Sequence, residues 1–299
     1  MIAKTTYKGR AAIVVESQRL RATVLCDDGA KLASLVDLTD GKELLLTRDT
    51  KNYRVLTYNG SYVDSECSGF DDMFPTIDPY TPTEGAYKDI PYLDHGEICR
   101  IPHNAELTEN AVCLTSHCAR LPISYQKTLS VAKDGGLNIH YKITNEGCAP
   151  FPYVWAGHIM LCGEDGMQLF TPYKKDAPIE MIFATKGSSP KDLPRDTLSG
   201  FDAYRGTAYK FYYLDPISEG QFGIRYSDGR TLRFEYDKQK LPYLGVWINN
   251  GEFQGIYNIA PEPCTAPFDS PDRAAKRGYA SLIAPNCSFE FTIHISMNS

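Results

Sequence analysis

Three short segments carry side chains that could transfer protons. They are DHGE at 94–97, WAGH at 155–158 and IAPEPCT at 259–265. Histidine and glutamate are general acid–base residues near neutral pH. Gly96 would let the backbone approach a ligand closely, and the two prolines around Glu262 would fix the direction of its carboxylate. A lone histidine is more often structural, so each segment by itself identifies only a candidate.

Other polar groups give weaker signals. Asp71 and Asp72 could bind a cation or sugar hydroxyls, and a solvated turn is an equal alternative. Cys113, His117 and Cys118 have metal-ligating chemistry, but alternation around them predicts a strand, and no second ligand pair completes a tetrahedral site. The sequence contains no phosphate-binding loop, dinucleotide fingerprint or G-x-S-x-G motif. We therefore predict neither a metal site nor a cofactor.

The elements that must position these groups show period-two alternation of apolar residues. It runs through 137–143 and 289–295, and a hairpin is predicted over 222–236 with its turn at 227–230. No long segment has helical periodicity. Many short strands separated by turn signals predict an all-β fold, a large antiparallel β-sandwich. No linker or repeat divides the chain, so we expect one domain over residues 1–299.

Two stretches interrupt the alternation. Residues 64–103 contain five prolines, which cannot all lie in central strands. A structureless segment of that length inside a compact domain usually has a function, and its charged residues agree with this interpretation. Residues 186–200 are predicted to be a plain surface loop.

Composition excludes several classes of function. The 299 residues include 31 Lys and Arg against 37 Asp and Glu, a net charge of −6, and no basic cluster that would indicate nucleic-acid binding. No apolar run reaches the ~18 residues of a membrane span, and the first residues do not resemble a signal peptide. The nine scattered cysteines are expected to be reduced thiols. We predict a cytoplasmic protein.

Taken in order, five segments resemble the aldose 1-epimerase (galactose mutarotase-like) superfamily. The matching segments are GFDDMFPTI at 69–77, DHGEICR at 94–100, VWAGHIML at 154–161, YLGVWINN at 243–250 and IAPEPCT at 259–265. The resemblance implies a large β-sandwich with a sugar site on its concave face. It also implies an isomerase of carbohydrate metabolism that interconverts the α and β anomers of a free sugar without a cofactor.

The resemblance also implies roles for three residues. Glu262 would remove the proton from the anomeric hydroxyl, and His158 would protonate the ring oxygen so that the ring opens. His95 would hold or polarise that ring oxygen. A glutamate is ionised at pH 7, and a histidine, with an ordinary pKa of about 6.5, could donate after a modest upward shift.

Further contacts to the sugar are expected from the same segments. Asp71, Asp72 and Arg100 are candidates for binding its hydroxyls. In the segment before HG, where family members carry an arginine that binds the sugar, this chain has Asp71-Asp72-Met73. Trp155, and after it Phe70, are candidates to stack on the C–H face of the sugar, with core packing as an equal alternative. The expected partner is a small-molecule sugar, and the protein would be a monomer or a homodimer.

Two other functions stay open on the same scaffold. One is a sugar-binding protein without catalytic activity, which the altered segment at 71–73 would favour. The other is a glycoside hydrolase or lyase, because sandwich folds host many carbohydrate activities. Hydrolysis would need a second carboxylate about 5–9.5 Å from Glu262.

Overall fold

We describe the protein from a computed structural model. The structure describes residues 1–185 and 206–298, so the loop predicted at 186–200 lies outside the described residues. The described residues form 22 strands, one α-helix and one short 3-10 turn. No helix among them is long and apolar enough to cross a membrane.

The first half of the described chain contains eleven strands and the 3-10 turn, which is Ile98–Arg100. The strands are β1 (Ile2–Tyr7), β2 (Arg10–Glu16), β3 (Leu20–Leu25), β4 (Lys31–Asp37), β5 (Lys42–Glu43), β6 (Phe70–Met73), β7 (Asn104–Leu107), β8 (Ala111–His117), β9 (Ile123–Val131), β10 (Leu137–Asn145) and β11 (Phe151–Pro152).

The second half contains eleven further strands and the one helix, α1 (Pro271–Lys276). The strands are β12 (Ala156–Ile159), β13 (Leu161–Cys162), β14 (Gln168–Phe170), β15 (Ile179–Ala184), β16 (Thr207–Tyr213), β17 (Gln221–Arg225), β18 (Thr231–Tyr236), β19 (Tyr243–Asn250), β20 (Tyr257–Cys264), β21 (Leu282–Ile283) and β22 (Ser288–Asn298).

Two large antiparallel sheets build the fold and confirm the predicted all-β sandwich. The larger has 12 strands, in the order β1-β2-β3-β4-β6-β12-β20-β19-β16-β15, with β5 beside β4 and β13 beside β20. The smaller has 8 strands in the order β14-β17-β18-β22-β10-β9-β8-β7. Apolar side chains of both sheets, such as Val24 on β3 and Ile139 on β10, belong to one buried cluster. The core therefore lies between the sheets.

The strands with the clearest alternation form where the sequence predicts them. In β10 every second residue from Leu137 is buried, because side chains of a strand alternate between the core and the outer face. The predicted hairpin is confirmed as β17 and β18, which pair in register around the turn at Gly229. The predicted last strand, β22, pairs with β10 on one side and β18 on the other, so it lies inside its sheet.

The proline-rich stretch at 64–103 is irregular except for β6 and the 3-10 turn. The strand β6 lies in the middle of the larger sheet, where it pairs with β12. Its side chains alternate, so Phe70 and Asp72 point between the sheets while Asp71 and Met73 point to the opposite face.

A buried ion pair joins the two sheets. Lys127 Nζ on β9 lies 2.9 Å from Asp72 Oδ2 on β6, and both side chains have zero solvent exposure. The Tyr141 hydroxyl donates to Asp72 Oδ1 at 3.0 Å, which satisfies the second oxygen. Burial raises the pKa of Asp72, and the Lys127 charge opposes that rise. Each charge therefore depends on the other, since water cannot solvate either one.

We predict that Asp72→Asn lowers the free energy of unfolding by about 3–5 kcal/mol, because it leaves the Lys127 ammonium buried without a counter-ion. Urea unfolding would measure the loss. Glu290→Gln is the control, since it removes an exposed partner 3.4 Å from Lys142 and should change the free energy by about 0–1 kcal/mol. Equal losses in the two variants would contradict the prediction.

Candidate active site

Three neighbouring strands bring two of the predicted site residues together. The strand β12 lies between β6 and β20. Its register pairs His158 with Asp71 on one side and Ala156 with Cys264 on the other. The side chains of His158 and Glu262 therefore share one face of the larger sheet, with His158 Nε2 at 3.8 Å from Glu262 Oε1. Both are almost closed to solvent, at 8% and 1% exposure.

Glu262 shares a lysine with a second carboxylate. Lys210 on β16 places its Nζ 2.8 Å from Glu262 Oε2 and 2.8 Å from Asp269 Oδ1. The Tyr212 hydroxyl donates to the same Asp269 oxygen at 2.7 Å. Sequence reasoning missed these groups. The signal available was Lys210 itself, a charge inside the otherwise apolar strand AYKFYY at 208–213.

A second set of buried groups lies behind His158. The Tyr62 hydroxyl is 3.0 Å from His158 Nδ1 and 2.8 Å from Asp71 Oδ2. Lys31 Nζ lies 3.2 Å from the same Asp71 oxygen and 3.6 Å from Asp28 Oδ2. Asp71 was a predicted sugar contact. The structure instead connects it to His158 through the Tyr62 hydroxyl. Neither Tyr62 nor Lys31 was a candidate from the sequence.

The hydrogen bonds of Tyr62 determine which nitrogen of His158 carries the proton. Burial raises the pKa of Tyr62 well above its ordinary value, so the phenol keeps its single proton. Asp71 is the carboxylate partner of the Lys31 ammonium and can only accept. The Tyr62 hydroxyl therefore donates to Asp71 and accepts from His158 Nδ1–H. A neutral His158 then presents an unprotonated Nε2 toward Glu262.

The two facing groups have pKa values shifted in opposite directions. Burial lowers the pKa of His158 well below its ordinary value, and His95, Lys210 and Lys31 lower it further. Burial raises the pKa of Glu262, while the Lys210 charge opposes the rise. The expected upward shift of His158 was therefore wrong, because the ring is enclosed and its nearby cations disfavour a further positive charge.

His95 lies beside this pair. Its ring stacks on the Tyr62 ring at a centroid distance of 3.7 Å and an angle of 4°, and its centroid is 5.7 Å from that of His158. Its Nδ1 is 2.9 Å from Asp94 Oδ1. The backbone at Gly96 has φ of +79°, and a Cβ there would lie 2.1 Å from the Phe74 carbonyl oxygen. The close approach at Gly96 is thus to another backbone segment and not to a ligand.

Three other predicted contacts do not lie at this pair. Phe70 and Asp72 point into the space between the sheets, because they alternate with Asp71 along β6. Trp155 is completely buried, and its indole N–H donates to the Tyr125 hydroxyl at 2.9 Å. Phe70 and Trp155 both pack in the core, which was the alternative stated for them.

Arg100 has a structural role in the irregular segment. Its guanidinium donates to the backbone carbonyls of Gly96 at 3.0 Å, Gly60 at 2.7 Å and Tyr58 at 3.2 Å, and it also contacts Asp94 O. The side chain is buried, with its donors used by the loops that it joins. It is therefore not positioned to bind sugar hydroxyls.

Within residues 1–185 and 206–298, no group of three or more His, Cys, Asp or Glu could hold a metal ion.

The fold is similar to those of several solved structures. A galactose mutarotase-like protein from Clostridium acetobutylicum gives a TM-score of 0.69 at 15% identity, covering 100% of this chain and 98% of the other. A Klebsiella pneumoniae protein provisionally named an aldose 1-epimerase gives 0.69 at 14% identity, covering 98% and 81%. An aldose epimerase homologue from C. elegans gives 0.61 at 15% identity, covering 96% and 99%.

These similarities show the fold and not the activity, since one fold can host many activities. No protein-family model matches the chain, and no curated protein matches it. The chain has the galactose mutarotase-like β-sandwich fold, as the resemblance of its sequence segments implied.

We predict that Tyr62→Phe shifts the neutral His158 ring toward the Nε2–H tautomer, because Nδ1–H loses its acceptor. Nitrogen-15 NMR of the imidazole would show the change. The unfolding free energy should fall by about 1–3 kcal/mol, since buried polar atoms lose their partner. Tyr80→Phe removes a hydroxyl outside this network and is the control. A His158 spectrum that is identical in wild type and Tyr62→Phe would refute the assigned hydrogen bonds.

The lowered pKa of His158 also predicts a pH dependence of stability. The unfolded chain binds a proton at this residue near pH 6.5, while the folded protein binds it only at lower pH. The unfolding free energy should therefore decrease as the pH falls from 7.5 through 6.5, by at most about 1.4 kcal/mol per pH unit from this group. In His158→Gln, which cannot bind a proton at this position, the decrease should be smaller. Equal slopes in wild type and His158→Gln would contradict the prediction.

Proposed function

We propose that this protein is a mutarotase, an isomerase that interconverts the α and β anomers of a free sugar by opening its ring. The observation that carries the proposal is the pairing of His158 Nε2 with Glu262 Oε1 at 3.8 Å. The distance is too long for a direct hydrogen bond, so both atoms remain available to a ligand. The names of the similar structures, a mutarotase-like protein and aldose epimerase relatives, support the same class of reaction.

The reaction requires one proton acceptor and one proton donor. A proton leaves the C1 hydroxyl as another reaches the ring oxygen, the C1–O5 bond breaks, and a carbonyl forms at C1. Rotation about C1–C2 then exposes the other carbonyl face, and the reverse transfers close the ring. Because O1 and O5 are both bonded to C1, two groups as close as His158 and Glu262 can serve both oxygens.

The pair is proposed to hold one exchangeable proton. In one arrangement Glu262 is a carboxylate and His158 an imidazolium, and in the other Glu262 is protonated and His158 is neutral. Both arrangements have the same number of protons, so each contains one acid and one base. Burial favours the second arrangement, while the Lys210 ammonium at 2.8 Å from Glu262 favours the carboxylate of the first. The roles of base and acid then belong to the pair, and they exchange between opening and closure of the ring.

His95 is proposed to contact the ring oxygen or an adjacent hydroxyl. Its Nδ1 edge faces Asp94, and its stacking on Tyr62 fixes the plane of the ring beside His158. Its side chain is 20% exposed. It is therefore the histidine of the site that an entering sugar meets first.

Glycoside hydrolysis is the second candidate, and one observation favours it. Glu262 and Asp269 each lie 2.8 Å from Lys210 Nζ, so the two carboxylates are neighbours, and retaining glycosidases use a pair of carboxylates about 5–5.5 Å apart. Their pKa values move apart, since burial raises that of Glu262 while Lys210 and Tyr212 outweigh burial at Asp269 and lower its value. A hydrolase would release a shorter sugar from a glycoside, whereas a mutarotase leaves the substrate composition unchanged.

We predict that Glu262→Gln reduces the rate of anomeric exchange about 10²–10⁴-fold, because the amide cannot take up or release the proton. Saturation-transfer NMR across a panel of free aldoses would measure exchange in wild type and variant. Glu290→Gln, the same change at an exposed position, is the control. No acceleration by the wild-type protein for any aldose would overturn the mutarotase proposal. Binding without exchange would then indicate a sugar-binding protein, and cleavage of a glycoside would indicate the hydrolase.

A further inference from the structure

Three aromatic side chains form an exposed group that the proposed reaction does not use. Phe183, Trp247 and Phe253 have ring centroids 5.7–5.9 Å apart, and we name this group the aromatic shelf. Phe183 is 40% and Phe253 is 44% exposed, while Trp247 is half-buried. Among the phenylalanines that the structure describes, these two are the exposed ones. Exposed apolar groups that cluster in this way often mark binding sites.

Strand register places the shelf on the same face of the sheet as the acid–base pair. Trp247 on β19 is opposite Ala260 on β20, two residues from Glu262 and on the same face. On its other side Trp247 is opposite Lys210, which in turn is opposite Phe183 on β15. Lys210 reaches Glu262 with its Nζ. Lys210 therefore lies between Phe183 and Trp247 on the neighbouring strands, and its side chain extends from there to Glu262.

Trp247 and the backbone at Phe253 are held in place by contacts within the protein. Trp247 packs against a buried cluster of Leu46, Met160 and Ala260. The turn that carries Phe253 is fixed by Asn249, whose side-chain amide donates to Phe253 O at 3.0 Å and whose carbonyl accepts from Phe253 N at 3.1 Å. A surface ordered in this way loses little conformational entropy on binding.

We infer that the aromatic shelf is a subsite for a second sugar ring, so that the substrate class is a reducing disaccharide or longer oligosaccharide. This inference rests on the proposed function, since the reducing-end sugar would occupy the acid–base pair. The C–H face of a pyranose is apolar and stacks on aromatic rings, while its hydroxyl edge stays in water. A second ring linked to that reducing-end sugar would contact the shelf. The free anomeric carbon that mutarotation requires is present at that end.

Calorimetric titration of Glu262→Gln tests the subsite independently of turnover. The probes are glucose and galactose against maltose, cellobiose and lactose. At least one disaccharide should bind about tenfold more tightly than its reducing-end monosaccharide, which corresponds to one aromatic stacking contact. Adding Phe253→Ser should reduce this preference toward unity. The control is Val131→Ser, which removes a side chain of 39% exposure from the other sheet and should keep the preference.

Tryptophan fluorescence locates the bound disaccharide. The chain has two tryptophans, and Trp155 is fully buried, so a change in emission on binding reports on Trp247. Equal affinities for disaccharides and monosaccharides, or a preference that Phe253→Ser does not alter, would overturn the subsite. A concentration-dependent dimer that Phe253→Ser abolishes would also overturn it, since the shelf would then be covered by a second copy. A disaccharide preference without anomeric exchange in the wild-type protein would uphold the subsite and reject the mutarotase.

Discussion

The site depends on the pairing of buried carboxylates with lysines. Asp72 is paired with Lys127 between the sheets, and Glu262 is paired with Lys210 on the face that carries His158. An isolated charge in such surroundings would be strongly destabilising, so each carboxylate requires its cation. The third pair, Asp71 with Lys31, lies on the site face behind His158. These pairs allow adjacent strands to carry charged side chains in the middle of a large sheet.

The same pairing controls the protons of the site. Because Lys31 supplies the counter-ion, Asp71 can stay a carboxylate and accept from Tyr62, and this fixes the proton of His158 on Nδ1. Lys210 limits the rise in the pKa of Glu262 that burial produces. The cations that stabilise the carboxylates also lower the pKa of His158. Residues that need not touch a substrate therefore influence where the protons of His158 and Glu262 lie.

The alternation of strand side chains separates the functional face from the core. On β6, Asp71 faces the acid–base pair while Phe70 and Asp72 face the other sheet. On β19 the same rule places Trp247 on the face of Glu262, where the aromatic shelf continues the proposed sugar site. One sheet surface can thus hold both proton-transfer groups and apolar contacts, since each strand contributes a residue to it at every second position.

The sequence by itself determined the class of fold, because period-two alternation at 137–143, 222–236 and 289–295 leaves little choice but strands. It also singled out His158 and Glu262, whose local segments resemble a known family. It could not predict the partners of those residues. Tyr62, Lys31 and Lys210 are distant in the chain from the groups they contact, and only the pairing of strands and the packing of the irregular segment bring them together. The same limit explains why Arg100 and Trp155 were expected to contact a sugar. Their side chains are suited to binding a ligand, but in the folded protein they contact other parts of the chain.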